Sequence, residues 1–292
     1  MARSSNSDSG VSRWPAPAKL NLFLHVTGRR ADGYHEIQTL FQLLDWGDEI
    51  TIRVTEDGTI GREAADYPVA EADDLVVRAA CALQRASGCS RGAVIGVHKR
   101  VPLGSGLGGG SSDAATVLLV LNRLWSCGLD LAALAGLGGR LGADVPVFVG
   151  GRTAMATGTG DRLEPVELGK RHYVLVFPGL SIATGAVFAD PELPRHTPPI
   201  TLAEALAGQG RNDCELVVRK RYPEMAAALE TLGRWGRPVM TGTGSGIFLA
   251  MDSEQQAMSA AREMKSLYNV RAVNGVDRSP LHEMLEAGLR DL

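Results

Sequence analysis

Cysteines, aromatic side chains and charge of one sign are all scarce in this chain, and each scarcity removes a class of function. The four cysteines, Cys81, Cys89, Cys127 and Cys214, form no C-x-x-C pair. Neither a zinc site nor a disulfide framework is indicated, and a reducing cytoplasm is the expected setting. Nowhere do 18 apolar residues run together, so no membrane-spanning helix and no membrane partner are expected. A formal net charge of −3 leaves no electrostatic footprint for nucleic acid. Residues 1–13 are small and polar, lack the apolar run of a signal peptide, and are expected to form a disordered tail. Aromatic residues make up 5% of the chain, so an aromatic set in a glycine-rich loop calls for an explanation.

Glycine, by contrast, is plentiful and concentrated. Pro102-Leu103-Gly104-Ser105-Gly106-Leu107-Gly108-Gly109-Gly110-Ser111-Ser112-Asp113 joins an apolar strand over 93–98 to a helix expected over 112–125, where Ala114, Ala115, Leu118, Leu121 and Leu124 recur at helical spacing. Glycines let the main chain approach a ligand closely, and the helix directs unpaired N–H groups and its positive dipole end at whatever the loop holds. That arrangement favours phosphate. Ser111 or Ser112 is the expected N-cap. A dinucleotide fold is excluded because Asp130, the one acid at a suitable distance, falls in a helical stretch rather than at a strand end. A P-loop is excluded because the loop has no lysine.

Other stretches frame this loop. Lys19-Leu20-Asn21-Leu22-Phe23-Leu24-His25-Val26-Thr27 alternates, so Lys19 and Asn21 share one strand face; a cleft wall and a solvated edge strand are both compatible with it. A turn-rich loop over 28–33 leads into Tyr34 and His35, either a stacking platform for a flat ligand or an aromatic cover for the core. Residues 38–44 and 50–54 read as strands separated by an Asp45-Trp46-Gly47-Asp48 turn, and 74–86 as a helix. Pro146 is expected to force Val145 out of helical geometry, which would place Asp144 at a helix-to-strand junction. Composition shifts near 167–170, and Thr241-Gly242-Thr243-Gly244-Ser245-Gly246 forms a second glycine-rich turn ahead of an apolar strand.

Together the stretches 17–22, 102–113 and 241–246 resemble the GHMP kinases, the superfamily of galactokinase, homoserine kinase and mevalonate kinase. The stretches 31–42, 141–148, 212–215 and 279–282 narrow the resemblance to a branch whose alcohol substrate carries cytidine diphosphate. The resemblance implies a two-domain α+β fold: a disordered tail over 1–13, an N-terminal ATP-binding domain with a mixed sheet and helices over 14–168, and a C-terminal ferredoxin-like α/β sandwich over 169–292. It implies ATP as co-substrate, Mg²⁺ as cofactor, a small-molecule substrate and a monomer or weak homodimer.

By the same resemblance Lys19 and Asp144 match the catalytic pair. Lys99, Pro102, Leu103, Gly104, Ser105, Gly106, Leu107, Gly108, Gly109, Gly110, Ser111 and Ser112 match the nucleotide-phosphate site. Asn21, Tyr34, His35, Thr184 and Phe188 match the substrate site, with the pyrimidine stacked between Tyr34 and Phe188. Metal ligands are not identified. Asp74 and Gly185 depart from the family pattern, which commonly has asparagine and proline there. Two rivals remain: a GHMP kinase for a sugar, homoserine or mevalonate, and a non-catalytic binding module on this fold. A small alcohol needs no stacking pair, and the net charge of −3 disfavours a nucleic-acid module.

Overall fold

The structure, a computed structural model, describes residues 10–288. Its spine is a pair of long antiparallel strands, β1 (Val11–Arg29) and β2 (His35–Thr55). The first corrects the expected tail, of which residues 1–9 lie outside the described residues. Val11, Ser12 and Arg13 pair with Arg53, Ile52 and Thr51, and the Trp14 indole donates to the Ser12 hydroxyl at 2.7 Å. The expected 45–48 turn is instead a bulge within β2, since Leu44, Asp45 and Trp46 stand opposite Ala18 alone. Gly47 permits this crossing: a Cβ there would lie 2.0 Å from the Ala16 carbonyl oxygen.

Next come β3 (Ile60–Arg62), α1 (Leu75–Ser87), β4 (Gly92–His98), α2 (Gly109–Leu124), α3 (Leu131–Gly139), α4 (Val145–Gly150), β5 (Ala154–Thr157) and β6 (Arg162–Pro165). Asp74 caps α1 by accepting from Val76 N at 3.1 Å, and Asp130 caps α3 by accepting from Ala133 N at 2.8 Å. The second half adds β7 (Arg171–Phe177), α5 (Thr184–Ala189), α6 (Leu202–Leu206), α7 (Asp213–Arg221), α8 (Pro223–Leu232), β8 (Pro238–Met240), β9 (Ile247–Met251), α9 (Glu254–Met264), β10 (Asn269–Val276) and α10 (Pro280–Ala287).

The strands form one sheet in the order β3-β4-β2-β10-β7-β9-β8; β1 and β5 also pair with β2, and β6 with β5. One core fills the space between β2, β4 and helices α1 to α4, where Phe41, Ile50, Leu118 and Phe148 are buried together, and it takes in Leu281 from α10. A second core joins β7 and β9 to α7, α8 and α9 and takes in Leu24 and Val26 from β1. Strand β10 pairs with both β2 and β7, so the sheet runs unbroken across the compositional shift near residue 168. Both faces of β1 are covered between Ala16 and Asn21, so it is not a solvated edge strand. Lys19 consequently lies inside the molecule.

Candidate active site

A cleft of about 820 Å³ opens between β1, the 102–108 loop, the start of α4, the 242–243 turn, α5 and the 29–37 hairpin. It is lined by Lys19, Asn21, Tyr34, His35, Lys99, Pro102, Leu103, Gly104, Ser105, Gly106, Gly108, Gly109, Gly110, Ser111, Asp144, Thr184 and Phe188. Two of the anticipated residues stand behind its wall. Leu107 is buried in the core that joins β1 to β7, and its carbonyl accepts from Lys19 N at 3.0 Å. The Ser112 hydroxyl is buried with no hydrogen-bond partner among the described residues.

Helix α2 begins earlier than the sequence suggests. Its N-cap is Gly108, at φ 74°, rather than Ser111 or Ser112. A glycine cap brings the unpaired N–H groups of the first turn to the loop without a side chain in front of them. The backbone here cannot be imitated by other residues. A Cβ on Gly106 (φ 72°) would lie 2.3 Å from the Thr241 carbonyl oxygen, and one on Gly108 would lie 2.9 Å from the Phe148 ring. The second glycine-rich turn is the reason for that crowding. Ser245 N and Gly246 N donate to the carbonyls of Gly104 and Ser105 at 3.1 and 2.9 Å, so one glycine loop is laced to the other. Asn212 holds the second loop in turn, its amide donating to the carbonyls of Met240 and Gly242, both at 2.7 Å.

At the cleft floor the Lys19 ammonium has three oxygen partners: Asn21 Oδ1 at 2.6 Å, the Gly106 carbonyl at 2.9 Å and Asp144 Oδ2 at 3.2 Å. An ammonium has three N–H groups; two are bonded to Asn21 and Gly106, and Asp144 stands beside them as an ion-pair partner. The Asn21 amide is oriented from behind, donating to Thr39 Oγ1 at 2.9 Å, while the Thr39 hydroxyl donates to the Phe23 carbonyl. This fixes Oδ1 toward Lys19. The expected strand after Asp144 is in fact helix α4, with Pro146 in its first turn, where a missing N–H costs nothing. Asp144 precedes that helix in αR geometry and makes no side-chain cap bond. Its carboxylate, 35% exposed, therefore faces Lys19 and the cleft rather than its own helix.

Lys99 is held from behind as well. Its ammonium donates to Asp48 at 2.5 Å and to Asp113 at 2.8 Å, leaving one N–H for the cleft. Asp48 also accepts from the main-chain N–H groups of Arg100 and Val101. Burial, opposed by Lys99 and reinforced by Asp48, pushes the Asp113 carboxyl up to about 8. Sequence reading passed over Asp48, Asp113 and Thr39; the one available signal was an acid inside the apolar face of α2.

At the other end Tyr34 is 65% exposed, and the rings of His35 and Phe188 lie 5.1 Å apart at 33°. Thr184 shares a 3.0 Å hydroxyl contact with Thr243. Asp74 does not line the cleft: it caps α1, pairs with Arg62, and accepts from the Tyr67 hydroxyl at 2.6 Å. Among the described residues no group of three or more His, Cys, Asp and Glu side chains could hold a metal. No described helix is long and apolar enough to cross a membrane.

The GHMP kinases N terminal domain matches residues 74–152, and the GHMP kinases C terminal domain matches 195–270. A 4-diphosphocytidyl-2-C-methyl-D-erythritol kinase from Halorhodospira halophila is 54% identical over 96% of this chain and 98% of its own length. One from Xanthomonas campestris pv. campestris is 48% identical over 98% of each. The crystal structure of a 4-(cytidine 5'-diphospho)-2C-methyl-D-erythritol kinase, 34% identical, superposes with a TM-score of 0.79 over 90% of this chain and 99% of its own. Mevalonate kinase from Methanococcus jannaschii, 14% identical with a TM-score of 0.67, shares the fold. With the glycine-laced loop, the buried lysine and the two family domains in register along one chain, this protein belongs to the GHMP kinases and, within them, to the 4-diphosphocytidyl-2-C-methyl-D-erythritol kinases.

Proposed function

We infer that the chain transfers the γ-phosphate of ATP to the 2-hydroxyl of 4-diphosphocytidyl-2-C-methyl-D-erythritol, a step of the non-mevalonate isoprenoid pathway. The observation that carries this reading is the 3.2 Å pair of Lys19 and Asp144, one member locked to the glycine loop and the other open to the cleft. Phosphoryl transfer runs through a loose transition state, so positioning and charge stabilisation supply most of the acceleration. The main-chain N–H groups of the 104–110 loop and the positive end of α2 would receive the β- and γ-phosphates. Lys99 would turn its remaining N–H to the same phosphates.

Asp144 would accept the proton of the attacking hydroxyl, and Lys19 would hold Asp144 in line and draw the transferring group toward the acceptor. Asn21 acts mainly through Lys19, because its amide is already bonded to Lys19 and Thr39. Mg²⁺ would supply charge neutralisation between the phosphates. The residues present suit it, since Mg²⁺ keeps several waters and takes only one or two protein oxygens beside the phosphates. The open side of Asp144 is the protein oxygen that the cleft offers. Tyr34 and Phe188 would sandwich the cytosine, with Thr184 beside the substrate chain. The setting is proposed to be cytoplasmic.

Steady-state ADP release decides the matter. Turnover of the diphosphocytidyl alcohol in preference to galactose, homoserine and mevalonate is expected. Equal or better turnover of any of those three would overturn the assignment.

A further inference from the structure

One half-buried contact beside the cleft is used by nothing in this mechanism. Arg195, in the segment after α5, donates from Nε to His35 Nε2 at 3.1 Å. Its other nitrogens bind main-chain carbonyls of that segment: Phe188 at 3.1 Å and Asp190 at 2.7 Å from Nη2, and Leu193 at 3.0 Å from Nη1. We propose that Arg195 is a positioning residue for base recognition, fixing the His35 proton on Nδ1 and holding the main chain at Phe188 beside it. The proposal rests on the reading above that a pyrimidine occupies this end of the cleft.

The chemistry is one-sided. A guanidinium has only donors, so the ring nitrogen facing it must present a lone pair. A neutral imidazole with a lone pair on Nε2 carries its hydrogen on Nδ1. Neutrality follows from the surroundings: partial burial, then the Arg195 and Arg29 cations, hold His35 below its ordinary pKa. Nδ1 has no hydrogen-bond partner among the described residues, and His35 lines the cleft. The base end thus offers a fixed N–H donor at the edge of a stacking face. Cytosine presents acceptors at both O2 and N3, whereas uracil turns N3 into a donor. A protein donor set at that edge therefore accepts the first base and meets a like group on the second.

Long-range ¹⁵N spectra of the ligand-free full chain, assigned with His35→Gln, read the tautomer directly. The wild type is expected to show Nδ1–H. In Arg195→Met the Nε2–H form should take over, KM for the cytidine substrate should rise about tenfold with kcat held within about twofold, and preference over the uridine analogue should shrink. Arg195→Lys retains a donor and should keep the wild-type tautomer. A wild-type ring protonated on Nε2, or a tautomer and KM unmoved in Arg195→Met, overturns the proposal. If the methionine variant does not fold, the wild-type and Arg195→Lys spectra still decide. The tautomer is read without substrate, so a failure of the kinase assignment shows up separately, in the ADP-release panel.

Discussion

The phosphate end and the base end of the cleft are made from different materials. At the first, the ligand-facing surface is main chain: glycines in left-handed geometry, laced by hydrogen bonds to a second glycine loop and backed by Lys19 and Lys99, each held by buried partners. At the second, the surface is side chain: an exposed tyrosine on a hairpin and a half-buried phenylalanine on a six-residue helix. In-line phosphoryl transfer loses rate when its parts are displaced by about 1 Å, so the end that does chemistry is over-determined. Base stacking tolerates adjustment, so the end that binds can be assembled from rings that settle on the ligand. Damage at the two ends should therefore differ in kind: loss of kcat or of fold at the first, loss of KM at the second.

The largest effect should come from the carboxylate that joins the two. Asp144→Asn keeps the shape, and because Asp144 caps nothing, melting should stay near wild type. Loss of a general base lowers kcat by about 10²–10⁴-fold. A variant with intact melting and near-normal kcat in the ADP-release assay would remove Asp144 from the role of base. Gly106→Ala comes next. Its Cβ would collide with the Thr241 carbonyl at 2.3 Å while φ is held at 72°. Forcing a residue into such geometry costs about 1–3 kcal/mol before the clash is counted. Lower melting together with weaker ATP-analogue binding by calorimetry is expected, and ordinary nucleotide affinity in a folded variant would show that the loop is less constrained than its contacts imply.

At the base end, Phe188→Ala and Tyr34→Ala should each raise KM for the cytidine substrate. A stacked base is worth about 1–3 kcal/mol, a factor of roughly 5 to 150, with kcat preserved. A fall in kcat instead would mean that the two ends are coupled more tightly than their construction indicates. The buried cluster behind Lys99 gives a weaker, pH-dependent signature. Asp113 titrates at about 8 in the folded chain and near the ordinary value of about 3.9 when unfolded. Between those values only the folded state holds the proton, so stability falls as pH rises through that window. Melting curves from about pH 5 to 8.5 should decline more steeply for wild type than for Asp113→Asn. Parallel curves would show that the carboxyl is ionised throughout.

The same division explains what the sequence displayed. The glycine loop, Lys19, Asp144, Tyr34 and Phe188 sit in short segments whose residue types are unusual for their surroundings, and such segments are readable one at a time. The partners that hold them are not: Thr39 lies 18 residues from Asn21, Asp48 lies 51 from Lys99, and Arg195 lies 160 from His35. No local pattern marks contacts that exist only after segments distant in the chain have packed together. Local rules also misread two boundaries. Pro146 reads as a helix breaker in sequence, yet in a first turn it is tolerated, so the segment after Asp144 is α4 rather than a strand. Serine outranks glycine as an N-cap by intrinsic preference, yet the loop needs bare N–H groups, and Gly108 takes the position.

The smallest expected effect tests whether the base end is as permissive as described. Gly185 is the second residue of α5, and a Cβ built there would meet nothing within 4 Å. It lines the cleft three residues before Phe188. Replacing a helical glycine by alanine removes main-chain freedom from the unfolded state and stabilises by about 0.4–1 kcal/mol where the geometry is compatible. Gly185→Ala should therefore melt slightly higher, with KM and kcat within about twofold of wild type, because Arg195 holds the main chain at Phe188 by its carbonyl rather than leaving it to the start of the helix. A KM change comparable to that of Phe188→Ala would mean that glycine itself sets the path of the chain into the stacking position, and that this end of the cleft is built to closer tolerance than its exposed rings suggest.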